Sequence, residues 1–386
     1  MQINDPQTVG MDAKRLQRLP KAIARDIEAG LYDGAVIAIG RHGRLVMHQA
    51  IGYADRAAGR KTALDDVFGV LSLSKTLTNV LVLNRCEQGL LRLTMPVAEL
   101  IPEFAILGKQ HITIQHLLAH TGGLGGMPPM PLDRMPLEAA IAAVCMLPLM
   151  SKPGEAVSYS GLTAHVVLAE LLRRADGGKR SFRQILDEDL LKPLGMRDTA
   201  LGLRSDLAKR RVPFVVRDQQ PGLLPPPMLE SYNEVLNETA EVPAIGVYST
   251  AADFYRFCEM LRRGGELDGV RLLSPLTLDM ATRNCTGNMI NALWTYARES
   301  RGWEDFPAYL GLGFSLRGEG IFPHHFGTLA SPRSFGHAGA GATLFWVDPV
   351  QDMSFVALTA GLVEEAASVE RFQRLSDLAL SSIVAP

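Results

Sequence analysis

Ser72 and Lys75 stand three residues apart, and of all the lysines in the chain only Lys75 has a serine at that distance before it. Residues three apart share a helix face, so the Ser72 hydroxyl and the Lys75 amine can meet there. At a helix N-terminus the unpaired backbone N–H groups and the positive end of the dipole favour negative charge on the serine. A hydroxyl beside an amine is a serine prepared for nucleophilic attack. The same spacing also fits a serine cap followed by a solvent-exposed lysine, and the rest of the chain decides between the two.

The element that must hold this pair is a helix. The apolar run Val80-Leu81-Val82-Leu83 is long enough for a buried one, and Gly89 stands where helices commonly end. No Gly-x-Ser-x-Gly occurs, so the nucleophile elbow of a strand–turn–helix hydrolase is disfavoured. Upstream, Leu16, Leu19, Ile23 and Ile27 form one stripe over residues 12–29, an amphipathic helix that Pro20 should bend. Two apolar runs, Ala35 to Ile39 and Leu45 to Ile51, flank Gly40-Arg41-His42-Gly43 as a β-hairpin. His116 and His120 have a spacing that suits a metal on one helix face, but no glutamate follows His116. They read as structural hydrogen-bonding residues.

Residues 125–135 are rich in Met, Pro and Gly and read as a loop bordering a pocket. Residues 138–175 read as helices broken at Pro148 and at Pro153-Gly154. Residues 213–243 read as a long irregular segment. Thr250 to Arg263 is a second amphipathic helix. Residues 284–334, with Trp294, Trp303, Tyr309, Phe314 and Phe322, read as an irregular cleft wall. Strands Thr343 to Val347 and Ser354 to Thr359, then a helix carrying Val369, Phe372 and Leu375, close the chain. Strands cluster at both ends and helices in the middle.

A chain of 386 residues can bury a large core in two lobes. Its net charge of −2 gives no electrostatic case for nucleic acid or an anionic membrane. Cys86, Cys145, Cys258 and Cys285 are far apart and read as reduced core residues. No basic-then-apolar leader and no spanning apolar stretch are visible, so the expectation is a soluble cytoplasmic protein.

Taken in order, the landmarks resemble the serine β-lactamase and penicillin-binding protein superfamily, in particular its class C-like branch of family VIII esterases and related acyltransferases. They are the Gly34-Ala35-Val36 hairpin, Ser72-x-x-Lys75, the His116-Leu117-Leu118-x-His120-Thr121 box, Tyr159, Leu194-Gly195-Met196-x-Asp198-Thr199, Tyr248-Ser249-Thr250-Ala251-x-Asp253, Leu310-Gly311-Leu312-Gly313-Phe314 and Gly336-His337-Ala338-Gly339. The resemblance implies an antiparallel sheet flanked by helices, an inserted helical lobe and an active site between them. Residues 1–70 and 245–386 would form a discontinuous α/β domain, and 71–244 a mainly helical one. Two departures stand out. The family's Tyr-x-Asn is Tyr159-Ser160-Gly161 here, without a side-chain donor for a lactam amide. Its Lys-Thr-Gly is His337-Ala338-Gly339, which trades a permanent cation for a group titrating near neutrality.

The resemblance implies an acyl-enzyme on Ser72, with Lys75 and the Tyr159 phenol sharing the proton work. Clustering should lower the amine's pKa and draw the phenol toward tyrosinate. The oxyanion hole would be the backbone N–H groups of Ser72 and Ala340. His337, Ala338, Gly339 and Gly161 would line the substrate site. The expected substrate is a small or medium acyl ester, and no metal or organic cofactor is required. The alternatives are an acyltransferase using the same acyl-enzyme, a β-lactamase or D-aminopeptidase, and a non-catalytic binding module.

Overall fold

The computed structural model describes residues 2–125, 130–220 and 222–385. A seven-stranded antiparallel sheet is built from β1 (Gly34–Arg41), β2 (Arg44–Asp55), β3 (Arg60–Lys61), β4 (Ser315–Leu316), β5 (Phe335–Gly339), β6 (Thr343–Asp348) and β7 (Met353–Ala360). Their spatial order is β3-β2-β1-β7-β6-β5-β4. The two ends of the chain therefore meet where β1 pairs with β7, from Gly34 opposite Ala360 to Arg41 opposite Met353. All eight residues of β1 are buried. Val36 and Ala38 enter one core, Ala35, Ile37 and Ile39 the other. A strand covered on both faces reads as the unbroken apolar run seen in the sequence.

Five helices are the main ones packed on the sheet and on each other: α1 (Arg18–Glu28), α2 (Ser74–Glu87), α3 (Thr163–Ala175), α4 (Ala251–Arg262) and α5 (Glu365–Leu380). Helices α1 and α5 pack together on one face of the sheet, and α4 covers the other. The stripe Leu16, Leu19, Ile23 and Ile27 is buried as expected. The bend at Pro20 is instead a break, because Ala13–Leu16 and Arg18–Glu28 are separate helices meeting at Gln17. Pro20 has no N–H for the Leu16 carbonyl, and its ring crowds that carbonyl.

Helix α2 ends where Gly89 predicted. Gly89 takes φ 72°, its N–H reaches the Cys86 carbonyl, and the Leu90 N–H reaches Arg85. Those two bonds satisfy carbonyls that the last turn leaves open. Helix α3 packs across α2 and is buried along its first ten residues. A small sheet of Phe68–Gly69, Val247–Ser249 and Ala200–Leu201 ties the start of α2 to the distant chain. Two sequence landmarks meet here: the Asp253 carboxylate accepts from Asp198 N–H at 2.7 Å and from Thr199 Oγ1 at 3.0 Å.

Several elements escaped the sequence reading, three of them close to the site. The segment 213–243 contains a helix, Pro226–Val235. Its prolines stand in the first turn, where the missing N–H has no partner to lose. The segment 284–334 contains a short helix, Thr295–Arg301. The Gly- and Ala-rich stretch before β6 is itself strand β5, recruited by pairing with β6 and β4 rather than by propensity. Cys145 and Cys258 are buried, Cys86 and Cys285 half-buried, and all four are unpaired. No described helix is long and apolar enough to cross a membrane.

Candidate active site

Ser72 lies in one 3-10 turn, Leu71–Leu73, directly before α2. Leu71 takes φ 51°. A leucine in that left-handed region costs about 1–2 kcal/mol. The surroundings hold it there: Leu71 and Leu73 are buried, the Val70 N–H donates to Val247, and Thr343 Oγ1 donates to the Val70 carbonyl at 2.8 Å. Ser74 braces the same turn, its hydroxyl accepting the Val247 N–H at 3.1 Å.

Lys75 is wholly buried beneath Ser72. Its Nζ is 3.0 Å from Ser72 Oγ and 3.1 Å from the Ala244 carbonyl. Burial lowers its pKa from 10.5 to about 7, because an ammonium without a counter-charge loses its hydration.

Tyr159 arrives from the irregular chain before α3. Its N–H reaches Asn291 Oδ1 at 3.3 Å, and its ring stacks on His120 with centroids 4.4 Å apart. His120 is fixed in turn, its Nδ1 accepting the Ser160 N–H at 3.0 Å. The phenol oxygen lies 3.5 Å from His337 Nε2, and the nearby Ser72 hydroxyl acts to lower its pKa. Lys75 Nζ is 5.2 Å from the centre of the phenol ring. The three side chains nominated from sequence therefore converge. The expected drift toward tyrosinate does not occur: burial pushes the Tyr159 pKa up, and the amine alone moves toward neutrality. The reason is burial, which strips the phenolate of its hydration by more than the neighbouring Ser72 hydroxyl restores.

His337 lies on β5. Its Nδ1 is 2.7 Å from the Ala338 carbonyl, so Nδ1 carries the proton and Nε2 presents its lone pair to the phenol. Burial, then the field of Lys75, lowers its pKa to about 3. It is thus a neutral imidazole near pH 7, not the titrating group expected.

Ser72, Tyr159, Gly161, His337, Ala338, Gly339 and Ala340 all border one cavity of about 220 Å³. A Cβ on Gly339 would stand 2.1 Å from Thr343 Oγ1 and 2.6 Å from the Val70 carbonyl, so only glycine lets β5 lie so close to the nucleophile turn. The wall expected from 284–334 is present, with Trp294, Phe306 and Phe326 facing the cavity. Of the wall expected from 125–135, residues 126–129 lie outside the described residues, and the others do not border the cavity. Leu223, Leu224, Met228 and Tyr232, from the segment read as irregular, also border it.

His116 caps a helix, its Nδ1 accepting the Thr113 N–H at 3.1 Å. With His120 committed to Ser160, both histidines are structural, as the sequence indicated. No cluster of metal-ligating side chains exists among the described residues. The sequence reading missed the Ala244 carbonyl, Asn291, His325 and Glu365. Backbone groups and residues remote in sequence leave no motif to find.

The Beta-lactamase family model matches residues 20–379, and the chain belongs to that family. It is 27% identical to Esterase EstB of Burkholderia gladioli, over 92% of this chain and 93% of EstB. Its fold matches that of a penicillin-binding protein homologue from Caulobacter crescentus, with TM-score 0.79, 24% identity and coverage of 97% and 99% of the two chains. It also matches EstCE1, described as a hydrolase with promiscuous acyltransferase activity, with TM-score 0.78, 22% identity and coverage of 95% and 99%.

Proposed function

We propose that this chain is a serine hydrolase that cleaves small or medium acyl esters through an acyl-enzyme on Ser72. The observation that carries the reading is the buried Lys75 amine 3.0 Å from Ser72 Oγ, with a pKa near 7. In its neutral form the amine donates to the Ala244 carbonyl and offers its lone pair to the Ser72 proton. Ser72 Oγ attacks the ester carbonyl as Lys75 takes that proton. The backbone N–H groups of Ser72 and Ala340 receive the negative oxygen, and each such donor lowers the barrier by roughly 3 kcal/mol. The tetrahedral intermediate collapses, the alcohol leaves with a proton relayed through the Tyr159 hydroxyl, and the acyl group remains on Ser72. Water, activated by the same amine, then releases the acid. A reducing compartment such as the cytoplasm suits the four unpaired cysteines.

A second reading is acyl transfer to an alcohol or amine, since the apolar part of such an acceptor gains contact with Leu223, Trp294 and Phe306 in the cavity wall, which water does not. Intact-mass analysis after exposure to short p-nitrophenyl esters tests both readings. The acyl mass should appear on Ser72 and be absent in Ser72→Ala. Undiminished turnover by Ser72→Ala would sink the hydrolase and the transferase alike. Partition of the acyl group between water and an added alcohol separates them.

A further inference from the structure

The cavity wall carries an unequal charge set. Among the described residues that border it there is no lysine or arginine, and Glu365 is its single carboxylate. His324, His325 and His337 add no positive charge at neutral pH, because burial lowers the pKa of each. Lys75 sits behind Ser72. Arg371, two turns from the start of α5, does not border the cavity; it donates to the Gly341 carbonyl at 3.0 Å and lies over the rings of Tyr32 and Phe372.

Glu365 is only 9% exposed. Its two oxygens accept the backbone N–H groups of Leu223 at 2.9 Å and Leu224 at 3.1 Å. It pairs with no cation among the described residues, while its neighbour Glu364 takes Arg301 at 2.9 Å. The fit is close, since a Cβ on Gly222 would stand 2.4 Å from Glu365 Oε2. One carboxyl group thus holds two leucines of the apolar wall in place and is the only acidic side chain the described wall presents; burial raises its pKa against the pull of those two N–H donors.

We infer that the cavity is built for uncharged esters with apolar acyl chains, that it rejects carboxylate-bearing ones, and that Glu365 is the residue setting this specificity. The inference rests on the hydrolase reading above. A carboxylate entering this cavity loses its hydration, meets a like charge and finds no cation. An aliphatic chain of the same length loses nothing and gains contact with the leucines.

The test is a matched pair, p-nitrophenyl butyrate and p-nitrophenyl hemisuccinate, whose acyl chains differ by a methyl against a carboxylate. The expected kcat/KM ratio is at least about 100-fold in favour of butyrate. Glu365→Gln should narrow it about tenfold by removing the like charge. Glu365→Met, which removes the charge by a different replacement, should narrow it as much and covers the case in which Glu365→Gln does not fold. A smaller ratio, or a ratio unmoved in every folded variant, overturns the inference while the hydrolase reading stands. Failure of both esters to acylate Ser72 by intact mass overturns the two together.

Discussion

Replacing Lys75 with methionine should stabilise the fold as it abolishes acylation, and the stabilisation should fade as pH rises. Lys75 has a pKa of about 7 in the folded chain against 10.5 for a free lysine. The unfolded chain therefore binds more protons than the folded one between those values. In that window the amine's burial becomes less unfavourable as pH climbs, and above it the residue contributes nothing further. The cost of neutralising it is on the order of 4 kcal/mol at pH 7 and about 2 kcal/mol at pH 9. Methionine has a similar length and needs no deprotonation. It gives up the bonds to Ser72 and Ala244, and a buried carbonyl left without its donor costs about 1–3 kcal/mol at any pH. The absolute gain depends on that loss, but its pH dependence does not. The stability of Lys75→Met relative to wild type should shrink by about 2 kcal/mol from pH 7 to pH 9. Urea unfolding of both proteins across this range gives the number, and other titrating groups cancel in the difference. A difference that stays constant with pH would refute the reasoning, since Lys75 would then enter the fold as an ammonium and could not serve as the base.

The same amine sets the rate profile: kcat/KM for a neutral ester should rise tenfold per pH unit and level off near pH 7, with no inflection from His337 between pH 5 and 8. Tyr159→Phe should lower kcat roughly 100-fold or more, and full activity in that variant would remove the phenol from the proton path. Gly313→Ala should destabilise the protein by at least about 1 kcal/mol, because Gly313 has φ 87° and its Cβ would stand 2.5 Å from Asn79; an unchanged melting temperature would contradict this. Ser376→Ala should cost about 1–3 kcal/mol by leaving the buried Trp346 indole N–H without its acceptor, read as a lowered unfolding midpoint.

Where a local rule and the tertiary environment agreed, the chain could be read directly. The α2 terminus at Gly89 is such a place, because the left-handed C-terminal residue is a backbone requirement that glycine meets by itself. The hairpin around Gly40 to Gly43 is another. Strand β5 was illegible because its Gly and Ala residues have no strand preference and are held by partners on both sides. The helix Pro226–Val235 was hidden by prolines that mark loops in general but are harmless in a first turn.

The sequence by itself nominated the groups proposed for reactive chemistry: Ser72 and Lys75 by their spacing on a helix, Tyr159 and the Ala340 backbone N–H by resemblance to the family's landmarks in order. It did so because these are short-range patterns, or positions fixed against such patterns. Only the tertiary structure decided their ionisation. The lowered pKa of the Lys75 amine, the neutral imidazole of His337 and the uncharged phenol all follow from burial by elements far apart in the sequence. The cavity wall is of the same kind: Leu223 borders the same cavity as Ser72, and a carboxylate 142 residues away holds its backbone. Desolvation is a property of the assembled interior, and no stretch of chain carries it alone.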